Sequence, residues 1–356
     1  MSREDKLVVG ISIGDINGIG GEIILKTFED SRMLDFCTPV IFASVRLMSF
    51  YKKHFSLDLN LQGIDKLEDM VTKRVNVLNV WKEQVDVNFG EENKTGGEYA
   101  LKSLTAAVSA LKEKRIDVLV TAPISKANIQ SESFNFPGHT DYLAQELNGD
   151  SLMLMISEGL RVGLLTDHVA INKVVSNITR ERIDKKVNTI YHSLIQDFGI
   201  DKPKIAVLGI NPHTGDNGVI GSEDDTILRP ALDNIRRNGK LVFGPYAADS
   251  FFGSGNFKNF DAILASYHDQ GLIPFKTLSF GKGVNYTAGL DRVRTSPDHG
   301  TAFDLAGKNL AKYDSFREAV YAAISIFESR EEYKELSENP LKIGRKKTYN
   351  EKKSKN

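Results

Sequence analysis

The chain has 356 residues, 41% of them hydrophobic, and a formal net charge of −1. That length suits about two domains rather than one small core, and the balanced, interspersed charge gives no electrostatic basis for binding nucleic acid or an anionic membrane. The single cysteine, Cys37, excludes an internal disulfide and points to a reducing compartment. No N-terminal signal core and no run of about 18 apolar residues occurs, so a cytoplasmic location is expected.

Residues 7–13 are a short β-branched run ended by Gly14, the pattern of a buried strand. GDINGIGGEI follows, where Gly14, Gly18, Gly20 and Gly21 permit a tight turn ahead of a helix over 22–28. Such a turn can seat a phosphate or nucleotide at the helix N-terminus. Its spacing is not GxGxxG, so an ordinary strand-to-helix turn stands as an equal reading. Residues 39–43 and 75–80 read as strands, and 48–74 show no assignable period. Residues 95–114 form an amphipathic helix with Leu101, Leu104, Val108 and Leu111 on one face. A strand over 117–121 runs into TAPISK, where Pro123 stops it and leaves Ser125 and Lys126 on a loop, Lys126 being either a site group or a solvated lysine. Pro137 and Gly138 precede a helix expected to start at Thr140 as N-cap, which sets His139 where an anion would bind, packing against Phe136 being the other reading.

Residues 152–156 and 161–165 read as adjacent strands joined at Glu158-Gly159, and the second leads into Thr166, Asp167 and His168. A helix over 180–198 and a strand over 205–208 come next. That strand runs into GINPHTGDNG, which holds His213. A helix over 223–238 precedes GPYAADSFF, which carries Asp249. Residues 262–265 are an apolar run that delivers His268 and Asp269; Gly271 reads as a break and Lys276 as the close of that stretch. A strand over 284–289 carries Asn285. The stretch beyond it holds Arg294 and DHGTAFDLAGK, with a short helix expected from Gly300 and Thr301. An amphipathic helix covers 316–327, and the basic end reads as a solvated tail.

Three strands thus each end near a histidine: His168, His213 and His268. One such histidine is usually a satisfied polar residue. Three at the C-terminal ends of parallel strands would converge where open α/β sheets hold their ligands. Three imidazoles with an open position are the ligand set of a catalytic Zn²⁺ or a similar ion. Asp167 and Asp269 are adjacent carboxylates able to orient imidazoles or act as a base, with Asp249 a further candidate.

GDINGIGGE and DHGTAFDLAGK resemble the paired signatures of the isocitrate and isopropylmalate dehydrogenase superfamily. TAPISK, FPGHTDYLA, GINPHTGDNGVIGSED, GPYAADSFF, YHDQGLIPFK and GVNYTAGLDRVRTSPDHGTAFDLAG resemble, in that order, the 4-hydroxythreonine-4-phosphate dehydrogenase family of vitamin B6 (pyridoxal 5'-phosphate) biosynthesis. The chain departs from that pattern in Ile16-Asn17 and Gly21, in Ser125, and in Asp167 and Val169 beside His168. The resemblance implies an α/β fold of two α/β/α domains with a central cleft, isopropylmalate dehydrogenase-like. The first domain would take 1–135 plus 284–340, the second 136–283 with the histidines, and 341–356 the tail. It implies a homodimer whose active site is shared between subunits, with the subunit that supplies His268 left open.

For the site, the resemblance implies one divalent ion (Zn²⁺, Co²⁺ or Mg²⁺) on His168, His213 and His268. Substrate contacts fall on His139, Thr140, Lys276, Asn285 and Arg294, and Asp249, Asp269 and Lys276 are the catalytic candidates. NAD, or NADP, would lie against Gly14, Asp15, Gly300, Thr301 and Asp304. The implied reaction oxidises 4-phosphooxy-L-threonine to 2-amino-3-oxo-4-phosphooxybutanoate, which decarboxylates to 3-amino-2-oxopropyl phosphate. Dehydrogenation of erythronate or threonate 4-phosphate is the alternative, and phosphate acyl transfer a more distant one.

Overall fold

The structure, a computed structural model, describes residues 6–130, 136 and 138–339. Phe134, Asn135 and Pro137 of the expected turn, and the tail 341–356, lie outside the described residues. The first part of the chain alternates β1 (Val8–Ser12), α1 (Gly20–Glu29), α2 (Met33–Phe36), β2 (Thr38–Ala43), α3 (Val45–His54), β3 (Leu61–Ile64), β4 (Val75–Asn79), α4 (Lys94–Lys112) and β5 (Val118–Thr121). The middle holds α5 (His139–Glu146), β6 (Gly149–Ser157), β7 (Leu160–Leu164), α6 (Val174–Asn177), α7 (Arg180–Gln196) and β8 (Lys204–Leu208). It continues through α8 (Arg229–Arg237), β9 (Leu241–Tyr246), α9 (Ala248–Gly253), β10 (Ala262–Ala265) and α10 (His268–Leu278). The chain then returns through β11 (Val284–Leu290), β12 (Val293–Pro297) and the long α11 (Asp314–Glu338).

Among the described residues all twelve strands share one sheet, ordered β3-β4-β2-β1-β5-β12-β11-β6-β7-β10-β8-β9. The strands from β3 to β12 run parallel to one another, as do those from β7 to β9. Between these blocks β11 is antiparallel to both neighbours, and β6 to β7. The sequence expects two α/β/α domains with a central cleft; in the sheet, the ladder of β12, β11, β6 and β7 connects the two parallel blocks. Each step in a sheet twists by about 20–25°, so β5 and β7, four steps apart, are turned by roughly a quarter-turn. Loops from the two blocks can therefore face each other.

Period-two burial explains why a cleft forms. Val9, Ile11, Val118, Val120, Leu152, Leu154, Ile205, Val207 and Leu264 point to one face and belong to a single apolar core that crosses both blocks, covered in part by α1, α7 and α11. The opposite face carries two clusters. One sets Phe42 and Leu119 against α4 and α5; the other sets Val162, Leu164, Leu208 and Ala265 against α9 and α10. The cavity described below lies in the gap between them.

Several elements differ from the sequence-based expectation. Gly271 does not break the chain but is buried inside α10. A Cβ there would stand 2.9–3.0 Å from side-chain atoms of Ala265, Leu164 and Val162, so glycine lets the helix lie flat on β7 and β10. Gly271→Ala is expected to destabilise the protein by about 1–3 kcal/mol through overpacking, read by denaturant unfolding; an unchanged midpoint would refute the tight seat. Thr140 is not an N-cap, since α5 starts at His139 after Gly138 with no side-chain cap. No helix begins at Gly300; residues 303–309 form turns. The helix expected over 223–238 starts with a π-helical turn, Asp224–Leu228, whose Asp224 carboxylate accepts the backbone N–H groups of Ile210 and Asn211 at 2.8 and 2.9 Å. Among the described residues no helix is long and apolar enough to cross a membrane.

Candidate active site

The floor of the site is the sheet itself. Asn285 pairs with Ser296 on β12 and with Met155 on β6, and Thr287 pairs with Met153. Alternation along each strand puts Asn285, Thr287, Arg294, Ser296, Met153 and Met155 on one face. Above them is a cavity of about 270 Å³, walled by the TAPISK loop, the start of α5, His168, α10 and the residues after β12.

Arg294 is 1% exposed, the largest of the fully buried side chains. Its Nε and Nη2 donate to Thr121 Oγ1 at 3.1 and 2.6 Å, and Nη1 donates to Thr287 Oγ1 at 3.2 Å. Among the described residues it has no carboxylate partner, and burial pushes its pKa down to about 9. A guanidinium keeps its proton in proteins, so this burial is an unmet demand for an anion. His139 lies beside it; burial first, then the charges of Arg294 and Lys126, hold its pKa well below the usual value and keep the imidazole neutral. Three enclosed polar atoms at the cavity, His139 Nε2, Asn285 Oδ1 and His299 Nε2, have no hydrogen-bond partner among the described residues. Buried polar groups of this kind are ordinarily satisfied, and together they mark a polar ligand's position. Lys276 adds a further ammonium, anchored by donation to the Asp298 carbonyl at 3.0 Å. Burial raises the Asp298 carboxyl's pKa, while Lys276 and His299 oppose the shift.

Behind the floor, Tyr286 occupies the other face of β11. Its hydroxyl donates to Asp197 Oδ2 at 2.6 Å, as does Ser193 Oγ at 2.6 Å. Arg330 Nε donates to Asp197 Oδ1 at 2.6 Å and Nη2 to the Tyr286 hydroxyl at 2.8 Å. This buried network ties α7 and α11 to the strand that presents Asn285 and Thr287.

The histidine edge follows from strand order, since β10 lies between β7 and β8. Pairing continues past the strands: Thr166 donates from its N–H and its hydroxyl to the Ser266 carbonyl at 3.2 and 2.7 Å. His168 and His268 thus come level, with ring centroids 6.1 Å apart. Gln270 ties in β8 by donating to the Gly209 carbonyl at 2.7 Å.

Residues 35–323 match the family model of the pyridoxal phosphate biosynthetic protein PdxA. The chain belongs to the PdxA family. It is 47% identical over 342 residues to a 4-hydroxythreonine-4-phosphate dehydrogenase of Bacteroides thetaiotaomicron, across 96% of this chain and 94% of that protein. A D-threonate 4-phosphate dehydrogenase of Cupriavidus necator is 34% identical over 322 residues, across 88% and 95% of the two chains. The solved 4-hydroxythreonine-4-phosphate dehydrogenase of Klebsiella pneumoniae superposes with a TM-score of 0.78 at 30% identity, covering 92% of this chain and 99% of that one.

Of the residues that the PdxA resemblance singles out, His139, Thr140, His168, His268, Lys276, Asn285, Arg294 and Gly300 line the one cavity. His213 does not. It is exposed on the loop after β8, in a run of left-handed residues, His213 to Asn217. Among the described residues no group of three His, Cys, Asp or Glu side chains stands close enough to hold a metal ion, so two of the three histidines are brought together. Their chemistry suits a divalent ion all the same. His268 Nδ1 pairs with Asp269 Oδ1 at 2.7 Å, which leaves Nε2 for coordination, the usual arrangement of a ligating histidine.

The remaining candidates lie outside the cavity. Asp269 is exposed and engaged with His268, and Asp249 is exposed on α9. Asp167 Oδ1 accepts the backbone N–H of His168 at 2.9 Å. Asp15 is fully buried; burial raises its pKa, and it accepts from the Asn17 N–H at 3.0 Å and from Asn128 at 3.2 Å. Asp15 therefore props the glycine turn, whose Gly14 (φ +72°) leaves no room for a Cβ beside the Pro123 carbonyl. Ile19 donates to the Thr301 carbonyl at 3.1 Å, which stitches the glycine turn to the segment after β12. Asp304 is exposed on that segment. Sequence reasoning gave no role to Thr121, Met153, Met155, Asp298 or His299, although TAPISK begins with Thr121 and DHGTAFDLAGK with Asp298 and His299.

Proposed function

We propose that the protein is a nicotinamide-dependent dehydrogenase of a small phosphorylated hydroxy acid, with 4-phosphooxy-L-threonine as substrate. The observation that carries this reading is the buried guanidinium of Arg294, with no carboxylate partner among the described residues and on the same sheet face as Asn285, in a cavity that also holds Lys126, Lys276 and His139. Such a cavity favours a dianionic headgroup together with a carboxylate, and Arg294 offers the planar, two-pronged recognition that suits either. Asn285 Oδ1 is an acceptor suited to the substrate's ammonium group. Met153 and Met155 form an apolar floor that keeps water from the reacting carbon.

His168 and His268, with His213, would hold the divalent ion, which when bound supplies Lewis-acid acidification of the substrate hydroxyl. NAD, or NADP, would supply the hydride acceptor. The glycine turn and the segment from Gly300 to Asp304 would form its wall, supported by the Ile19–Thr301 hydrogen bond. Asp269 orients the His268 ring through Nδ1 and does not itself reach the substrate. The neutral His139 and the ammonium of Lys276 bind and orient the phosphorylated acid.

The deciding assay follows NADH formation with 4-phosphooxy-L-threonine and with D-threonate 4-phosphate side by side, with and without a chelator. The amino acid substrate is expected to have the higher kcat/KM, by about a hundredfold, because the hydroxy analogue leaves a buried acceptor poorly matched; removal of the ion should abolish turnover. A higher kcat/KM on D-threonate 4-phosphate would assign the chain the activity named for the Cupriavidus necator relative.

A further inference from the structure

The loop after β5 carries one more group to the cavity. Ser125 anchors it from below: its hydroxyl is paired with Glu92 and accepts the Asn128 N–H at 3.2 Å, and its carbonyl accepts the Ile129 N–H at 3.2 Å. Lys126, the next residue, is exposed, and its Nζ stands 3.4 Å from Nε2 of His168. Three strands separate β5 from β7 in the sheet, so this contact crosses the mouth of the cavity from one block to the other.

An ammonium group only donates hydrogen bonds. The contact therefore aims the Nε2 lone pair of His168 at Lys126, and that lone pair is the one an imidazole gives to a metal ion. The two uses exclude each other. We propose that Lys126 and a divalent ion compete for the Nε2 lone pair of His168, so that metal binding transfers the Lys126 ammonium to the anionic substrate. The inference rests on the metal reading given under Proposed function. Lys126 is already among the residues lining the cavity with Arg294 and Lys276, and its flexible four-carbon stem allows the move. Substrate and ion then favour each other through one side chain, and by linkage each strengthens the other's binding by the same factor.

The test titrates Co²⁺ into wild type, K126M and K276M without substrate, followed by visible absorption against a competing chelator. K126M is expected to bind Co²⁺ about tenfold more tightly than wild type, having lost a competing cation at the ligand. K276M removes the same charge from the same cavity at a side chain anchored to the Asp298 carbonyl instead of His168, and should change affinity by less than about threefold. Equal shifts in both variants would reveal a general field effect and overturn the exchange, as would an unchanged or weaker affinity in K126M. A wild type that takes up no Co²⁺ would end the metal reading and the exchange together, which separates that failure from the loss of the exchange alone. In calorimetry with inorganic phosphate, Co²⁺ should strengthen binding to wild type and lose most of that effect in K126M; a retained gain would mean the ammonium is not what moves.

Discussion

Arg294→Met is expected to lower kcat/KM by about a thousandfold while leaving the melting temperature at or above that of wild type. Two charge-assisted hydrogen bonds to the substrate, worth about 1.5–3 kcal/mol each, account for the loss. The stability effect has the opposite sign because Met keeps the apolar stem and removes a buried charge that no carboxylate among the described residues relieves. The hydroxyls of Thr121 and Thr287 lose a donor, which offsets part of the gain. Because the guanidinium keeps its proton, only a bound anion relieves this burial, and a phosphorylated ligand should raise the melting temperature of wild type well above the rise in R294M. Thermal unfolding with and without ligand checks both signs. A variant that melts several degrees lower yet keeps its turnover per folded molecule would refute the assignment.

Asp197→Ala should be the most destabilising of these substitutions, at about 3–5 kcal/mol, because it strands the mostly buried Arg330 charge. Ser193, Tyr286 and Arg330 all donate to that one carboxylate, so none of the three finds a replacement acceptor of equal quality. The double variant Asp197→Ala, Arg330→Met should recover more than half of the loss, since the stranded charge goes with it. Denaturant unfolding of wild type, Asp197→Ala, Arg330→Met and the double variant completes the cycle. A loss below about 1 kcal/mol in the single variant would show that water replaces the carboxylate without cost.

What could be read in advance depended on how local the cause was. The apolar runs of β1, β7, β8 and β10 announce themselves because buried parallel strands need continuous β-branched and aliphatic residues. The same reasoning brings His168, His213 and His268 to one edge; β10 does lie between β7 and β8, and His168 and His268 meet there, while His213 stays out on its loop. β12 was invisible because VRTSP reads as a polar loop; it is buried as a strand only because Thr121 and Thr287 satisfy Arg294 and the Ala319 carbonyl accepts the Thr295 hydroxyl. In α10, Gly271 and Pro274 are breakers on paper, and only the closeness of Val162 and Leu164 gives the glycine its use. α11 runs past residue 327 on a charged stretch with no apolar stripe to reveal it. The position of His213 depends on four non-glycine residues with positive φ, among them the β-branched Thr214, a conformation that local propensity argues against.

The unbroken ladder through β5, β12, β11, β6 and β7 also has a mechanical meaning. Cleft proteins usually flex at a linker, but here the floor of the cleft is a row of interstrand hydrogen bonds. Narrowing the mouth therefore means winding the sheet more tightly, a torsion spread over several strands, rather than bending a hinge. Points near the axis of a torsion barely move while distant points sweep. Arg294 and Asn285, seated on adjoining central strands, then lie near the still centre of the motion, while Lys126 and His168, on loops that follow β5 and β7, turn relative to each other across the mouth.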